Sequence, residues 1–318
     1  MKLSTEQIKA ITVGAVSITE QDNGLYFSKC TEKQVAAWYN FSEVLGQRAK
    51  TTTGIRLDFH TNSQNVFLKV SGGKFDVYVD NLLRWHYKAV TSTEISLSLC
   101  DTLGDKRSEY RVTVYFPSHS IGVLEEIGLD DGAYAIKHTF ERKMLFIGDS
   151  ITQGWNADYD SLSYAYRVSR LFDAESVIQG IGGAFYHEST FDSIDFQPDA
   201  VVVAYGTNDF SRYASLEEFR GHVYAHLALI ADEYAGKQIF VLSPIWRDKL
   251  EIKPMGSFAE CRQAVADGAE KYGLVHIDGL SLVPPFTELF ADGHLHPNDA
   301  GFAYYGENLA LALRKYLK

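Results

Sequence analysis

The chain has 318 residues, enough for two domains or one large one, since single hydrophobic cores seldom grow past about 250 residues. Hydrophobic residues make up 46% and charged residues 22%, a globular composition that excludes a disordered or fibrous protein. With 41 acidic against 30 basic side chains the net charge is −11, a surface that repels phosphate backbones and anionic lipid, so neither nucleic acid nor membrane is an expected partner.

Met1 to Lys9 is polar and lacks the apolar core and small-residue cleavage site of a signal peptide. No window approaches the roughly 18 apolar residues of a membrane span, and the expectation is a cytoplasmic protein. Cys30, Cys100 and Cys261 are far apart and odd in number, which reads as reduced, mostly buried thiols rather than a zinc clasp or a disulfide framework. Trp38 and Tyr39 lie in a stretch whose pattern assigns no element.

From about Thr51 to Phe116 the sequence alternates with period two. Ile55, Leu57 and Phe59 share one side, with Arg56, Asp58 and His60 opposite; Val66, Leu68 and Val70, then Phe75, Val77 and Val79, then Ile95, Leu97 and Leu99, then Val112, Val114 and Phe116 repeat the pattern. Such alternation predicts strands with one face in a core and the other in water. Gly72-Gly73 and Asp80-Asn81 suit the turns between them. Residues 1–139 therefore read as an antiparallel β-sandwich, jelly-roll-like in architecture.

The rhythm changes near Ile136 to Arg142, and residues 140–318 read as a second domain. Short apolar runs, Met144 to Ile147, Val201 to Tyr205 and Ile239 to Leu242, alternate with helical spacing. Leu216, Phe219, Val223, His226 and Ile230 share one helix face, and Phe302 to Leu317 forms a last helix. Continuous apolar strands separated by helices predict a parallel sheet covered on both faces, a three-layer α/β/α domain. His222 and His226 are spaced for one helix face, but no Glu occupies a metalloprotease position, so they read as packing residues and no metal or cofactor is expected.

Ligands of an open parallel sheet gather outside the carboxyl ends of its strands. Gly148-Asp149-Ser150-Ile151-Thr152, Gly180-Ile181-Gly182-Gly183 and Gly206-Thr207-Asn208-Asp209 each follow such an end, and Asp292-Gly293-His294-Leu295-His296-Pro297-Asn298 precedes the last helix. Together and in this order the blocks resemble the SGNH (GDSL-type) hydrolases from about Lys143 onward. The resemblance implies Ser150 as nucleophile and His296 as general base. It also implies the Ser150 and Gly183 backbone N–H groups and the Asn208 amide as oxyanion donors. The chemistry fits: a serine hydroxyl needs an imidazole to take its proton, a glycine admits close approach to its N–H, and a neutral amide keeps its donors at any pH.

Each residue alone has a plainer reading: Ser150 a helix cap, Asn208 a turn, Gly183 backbone geometry, His296 a loop histidine. Four in family order outweigh it. Asp149 and Asp209 read as loop-fixing residues. Asp292 stands four residues before His296, where the family pattern has an aspartate three before. Either Asp292 orients the ring, or a backbone carbonyl does and the pair works as a Ser–His dyad. No Gly-x-Ser-x-Gly elbow, dinucleotide fingerprint or phosphate-binding loop is present.

A β-sandwich joined to an SGNH domain is similar to carbohydrate esterase family 2, which implies removal of acetyl groups from sugars. Trp155, Phe185, Phe210, Trp246 and Arg247 lie beside the motif blocks and are candidate substrate contacts, with packing an even alternative for each. The expected partner is a small acyl ester, an acetylated saccharide above all; a homo-oligomer is left open. The rival readings are a short-chain lipid esterase or thioesterase, and a sugar-binding protein whose esterase site has decayed.

Overall fold

The computed structural model describes residues 1–100 and 106–317. The chain opens with α1 (Thr5–Ile11), β1 (Thr12–Val13), β2 (Ser17–Gln21) and β3 (Gly24–Ser28), followed by a helix pair, α2 (Glu32–Phe41) and α3 (Glu43–Ala49). Eight strands come next: β4 (Arg56–Thr61), β5 (Asn65–Ser71), β6 (Gly73–Val79), β7 (Leu82–Ala89), β8 (Thr93–Ser98), β9 (Tyr110–Tyr115), β10 (Val123–Leu129) and β11 (Ile136–Lys137). The remainder is β12 (Arg142–Gly148), α4 (Ser150–Gln153), α5 (Tyr164–Leu171), β13 (Ala174–Gly180), β14 (Ala200–Ala204), α6 (Leu216–Glu233), β15 (Gln238–Leu242), α7 (Phe258–Lys271), β16 (Val275–Ile277) and α8 (Asp299–Leu313).

The first eleven strands build two facing antiparallel sheets, ordered β1-β4-β9-β6-β7, with β11 on β4, and β2-β3-β10-β5-β8. Period-two alternation supplies their common core: Ile55, Leu57, Phe59, Val66, Leu68, Val70, Phe75, Val77, Val112 and Val114 are all buried in one cluster. Between β6 and β7, Asp80 and Asn81 both take positive φ, 50° and 64°, the tight hairpin turn that suits those residues.

The last five strands form a parallel sheet ordered β13-β12-β14-β15-β16. Counted within this sheet the order is 2-1-3-4-5, the doubly wound flavodoxin-like arrangement. The inner runs of three of its strands, Met144 to Ile147, Ala200 to Ala204 and Ile239 to Leu242, are apolar because both faces are covered. Along β12, Leu145 and Ile147 pack with α6 and α7, while Met144 and Phe146 pack with α5 and α8. Helix α6 buries Phe219, Val223, His226, Leu227 and Ile230. No helix among the described residues is long and apolar enough to cross a membrane.

Two features depart from expectation. The stretch around Trp38 is helical: Thr31 and Gln34 form a capping box that starts α2, and Ser42 caps α3. This pair packs on the parallel sheet rather than in the sandwich, with Trp38, Leu45 and Ala49 buried beside Ile147, Ile181 and Phe185. Second, the outer face of β4 is not in water, as simple alternation predicts. Arg56 and Asp58 are 3% and 1% exposed, because that face lies against the α/β half.

The polar groups trapped there are paired. Arg111 reaches Asp58 through Nε and Nη2 at 2.9 and 3.0 Å, and Asp173 through Nη1 at 3.1 Å. Arg56 donates to Asp58 at 3.3 Å, to Ser176 Oγ at 3.0 Å and to the Ala174 carbonyl at 2.8 Å. Removing one partner of such a group strands the others without water. Asp58→Ala should therefore cost about 3–5 kcal/mol in urea-induced unfolding; a loss under about 1 kcal/mol, the range of surface ion pairs, would contradict this buried network.

Candidate active site

Strand β12 runs directly into α4, with Asp149 as N-cap: its Oδ1 accepts the Ile151 N–H at 2.9 Å. Ser150 is thus the first residue of the helix and not its cap, so its hydroxyl is released from that duty. Its Oγ lies 2.8 Å from His296 Nε2.

His296 arrives on a narrow loop before α8, closed by Ala291 N–H to the His296 carbonyl and Asn298 N–H to the Leu289 carbonyl, both 2.9 Å. Asn298 then caps α8 by accepting the Gly301 N–H at 3.0 Å. Asp292 reaches His296 despite its four-residue spacing. Gly293 turns at φ +72°, and the chain curls round the carboxylate. Oδ1 accepts the N–H groups of His294, Leu295 and His296 at 3.1, 2.8 and 3.1 Å, while Oδ2 takes His296 Nδ1 at 2.7 Å. The neighbouring His294 ring bonds the Asp292 carbonyl oxygen at 2.9 Å.

Burial works to raise the Asp292 pKa, but the His296 hydrogen bond and the three backbone N–H groups outweigh it and hold the carboxyl well below its usual range. For His296, burial lowers the pKa, the Asp292 hydrogen bond opposes it, and the net value lies below the ordinary 6.5. The imidazole is therefore neutral at pH 7, the state in which it can accept a proton from a hydroxyl.

The other two strand ends carry Gly183 and Asn208. Gly183 sits at φ +87°, in the left-handed region open to glycine, and a Cβ there would come within 3.3 Å of Arg48 Nη1 and Leu45 Cδ2. Asn208 Nδ2 donates to the Ala184 carbonyl at 2.8 Å, which spends one of its two amide hydrogens. Asp209 ties the two loops by accepting from Gly206 and Tyr186 N–H, both at 2.9 Å. Burial pushes both Asp149 and Asp209 up to about 7.

The flanking residues separate into two groups. Trp155 is half-buried, its ring 6.3 Å from that of His296. Trp246, also half-buried, packs on Phe290 at 4.9 Å, and Arg247 donates to the Thr207 carbonyl at 3.0 Å. Phe185 and Phe210, at 1% and 0% exposure, offer no surface to a ligand. Phe185 is enclosed by Trp38 and Phe41 beneath the Arg212 guanidinium, and Phe210 packs against Phe258. Local sequence could not distinguish these rings from those at the rim, since position after a strand end says nothing about depth.

Three residues at the site carried no motif. Gln153, fully buried, accepts the Gly182 N–H at 2.6 Å and donates to the Ser118 carbonyl at 2.7 Å. Arg48 lies over Trp155 at 4.9 Å, and His119 meets the same ring edge-on at 5.1 Å. Arg48 and His119 belong to the sandwich half of the sequence, and only the fold could place them here. Elsewhere His187, Glu188 and His222 bring donor atoms within 4.8 Å of one another. His187 Nδ1 already accepts the Ser189 N–H at 3.2 Å, and His222 is bonded to Glu188 at 2.9 Å.

A model of the GDSL-like lipase/acylhydrolase family matches residues 146–304, half of the chain. No curated protein sequence matches the chain. Among solved structures it is similar to the salicylyl-acyltransferase SsfX3 from a tetracycline biosynthetic pathway, at 20% identity and a TM-score of 0.85, covering 100% of this chain and 98% of that one. It is also similar to a family two carbohydrate esterase from Cellvibrio japonicus (15% identity, TM-score 0.70, coverage 97% and 96%). A family two carbohydrate esterase from Clostridium thermocellum in complex with cellohexaose gives 14% identity and a TM-score of 0.68, with coverage of 96% and 99%. At these identities the likeness is one of fold, and it extends through both halves of the chain.

Histidine NMR tests the electrostatics of the site directly. The His296 imidazole should titrate below 6.5, and lower still in Asp292→Asn, because the carboxylate is the group that opposes burial. Titration above 6.5, or an upward shift in Asp292→Asn, would contradict this.

Proposed function

The chain belongs to the GDSL-like lipase/acylhydrolase family and is a carboxylic ester hydrolase; from this premise we propose that it is a serine esterase working through Ser150, His296 and Asp292. The observation that carries the reading is the hydrogen-bonded line from Asp292 Oδ2 to His296 Nδ1 (2.7 Å) and from His296 Nε2 to Ser150 Oγ (2.8 Å).

In this mechanism His296 takes the Ser150 proton as Oγ attacks the ester carbonyl, and Asp292 stabilises the imidazolium that forms. The carbonyl oxygen becomes negative and is met by the Ser150 and Gly183 N–H groups and the second Asn208 amide hydrogen. Each such donor contributes roughly 3–4 kcal/mol to the barrier reduction. The tetrahedral intermediate collapses as His296 returns the proton to the departing alkoxide, leaving an acyl group on Ser150. A water then attacks, giving its proton to His296, and collapse of the second intermediate frees the acid and restores the serine hydroxyl.

As substrate we favour O-acetyl groups on sugars or short oligosaccharides. The two-domain likeness to family two carbohydrate esterases supports this, as does the half-buried Trp155 beside His296, an aromatic ring of the kind that suits sugars.

The test is acetate release from acetylated mono- and oligosaccharides together with a p-nitrophenyl ester series. Wild type should hydrolyse p-nitrophenyl acetate and lose at least about 1000-fold in kcat on Ser150→Ala. Equal rates in both would defeat the serine mechanism. Activity that rises steadily with acyl chains longer than acetyl would instead favour a lipid esterase or thioesterase, and sugar binding without turnover a decayed site.

A further inference from the structure

The carbonyl of Gly182 and the N–H of Gly183 belong to one peptide unit. That unit is planar and trans, so the direction of its C=O fixes the direction of its N–H. Arg48 Nη1 donates to the Gly182 oxygen at 2.9 Å. The preceding unit is held in turn, by the Gly182 N–H bonding Gln153 Oε1 at 2.6 Å. The peptide that bears the proposed oxyanion donor is thus gripped at its carbonyl by a guanidinium.

Arg48 is itself fixed. Its guanidinium lies over Trp155 at 4.9 Å, and its backbone carbonyl accepts a hydrogen bond from Lys29 Nζ at 3.0 Å. Lys29 is fully buried and also binds the Thr51 carbonyl and hydroxyl, at 2.8 and 2.7 Å. Helix α3 therefore presents Arg48 to the loop on a rigid support.

We propose that Arg48 is a positioning residue for ester hydrolysis: it orients and polarises the Gly182–Gly183 peptide so that the Gly183 N–H stabilises the oxyanion. A charge-assisted hydrogen bond to the carbonyl draws electron density from the amide and strengthens the N–H as a donor. The effect grows as negative charge develops on the substrate, so it belongs to the transition state more than to binding. By this device the sandwich half of the sequence contributes to chemistry carried out at the parallel sheet. The inference rests on the serine-esterase reading above.

The alternative is that Arg48 merely packs on Trp155, and two variants separate the cases. Arg48→Met keeps an apolar stem against the indole but has no charge and no donor; Arg48→Lys keeps a charge and a donor without the planar fork. With p-nitrophenyl acetate, Arg48→Met should lower kcat about 10- to 100-fold, less than loss of a direct oxyanion donor, with KM changed less than about 3-fold. Arg48→Lys should recover part of the loss. A trifluoromethyl ketone, whose hemiketal oxygen occupies the same position as the oxyanion, should lose affinity for Arg48→Met by the factor lost in kcat/KM.

Folded Arg48→Met with kcat within about 2-fold of wild type, or with reduced kcat but undiminished affinity for the ketone, would overturn the proposal. Should Arg48→Met not fold, Arg48→Leu, which also lacks charge and donor, carries the same two measurements, and wild-type values in both would overturn the proposal. Ser150→Ala measured in parallel separates the failures. Full activity there defeats the serine mechanism itself, whereas an inactive Ser150→Ala beside an unaffected Arg48→Met defeats only the role of Arg48.

Discussion

A hydroxyl passes its proton to an imidazole during attack when the two lie within hydrogen-bond reach. Ser150 and His296 are 146 residues apart in sequence and 2.8 Å apart in space. Holding that contact is the constraint under which the rest of the α/β half is arranged. Ser150 is carried at the end of β12, where the sheet order reverses, the place at which such sheets present their ligands. His296 is carried on a loop whose shape is set by a carboxylate wrapped in three N–H groups. That wrapping holds Asp292 ionised and fixes which nitrogen of His296 bears the proton, leaving the other as an acceptor toward Ser150.

The sandwich is more than an appended domain. Its outer face is closed against the α/β half by the Arg56–Asp58–Arg111–Asp173 network, whose inner pair, Arg56 and Asp58, is shielded from water. The α2–α3 pair, inserted between sandwich strands, lies on the parallel sheet and brings Arg48 to the loop bearing Gly183. Gln153 spans the junction from the other direction, linking the Gly182 N–H to the Ser118 carbonyl of a sandwich loop. In the proposed mechanism the geometry of the oxyanion donors thus depends on both halves of the chain.

Much of the fold was legible because its periodicities are clean. The two-residue alternation of Val66, Leu68 and Val70 predicts a strand with one face in the core, and those side chains are buried there. The apolar runs of β12, β14 and β15 mark strands covered on both faces. Alternation alone could not say what covers an outer face, which is why Arg56 and Asp58 read as solvent-facing. The motif blocks at strand ends were legible because their neighbours are short-range. Arg48 was not, because an arginine at the end of a helix has no local signature of the loop it will meet. Phe185 and Phe210 stay undecided between packing and substrate contact for a related reason: adjacency in sequence to Gly183 and Asn208 does not reveal that their rings turn into the core.

The most direct test of the central contact is covalent labelling with a fluorophosphonate, followed by peptide mass spectrometry. The reagent requires a serine oxygen activated by a base. The account predicts one adduct, on the peptide containing Ser150, and its loss in His296→Ala with the protein still folded. An adduct on another residue, or undiminished labelling of Ser150 without His296, would contradict it.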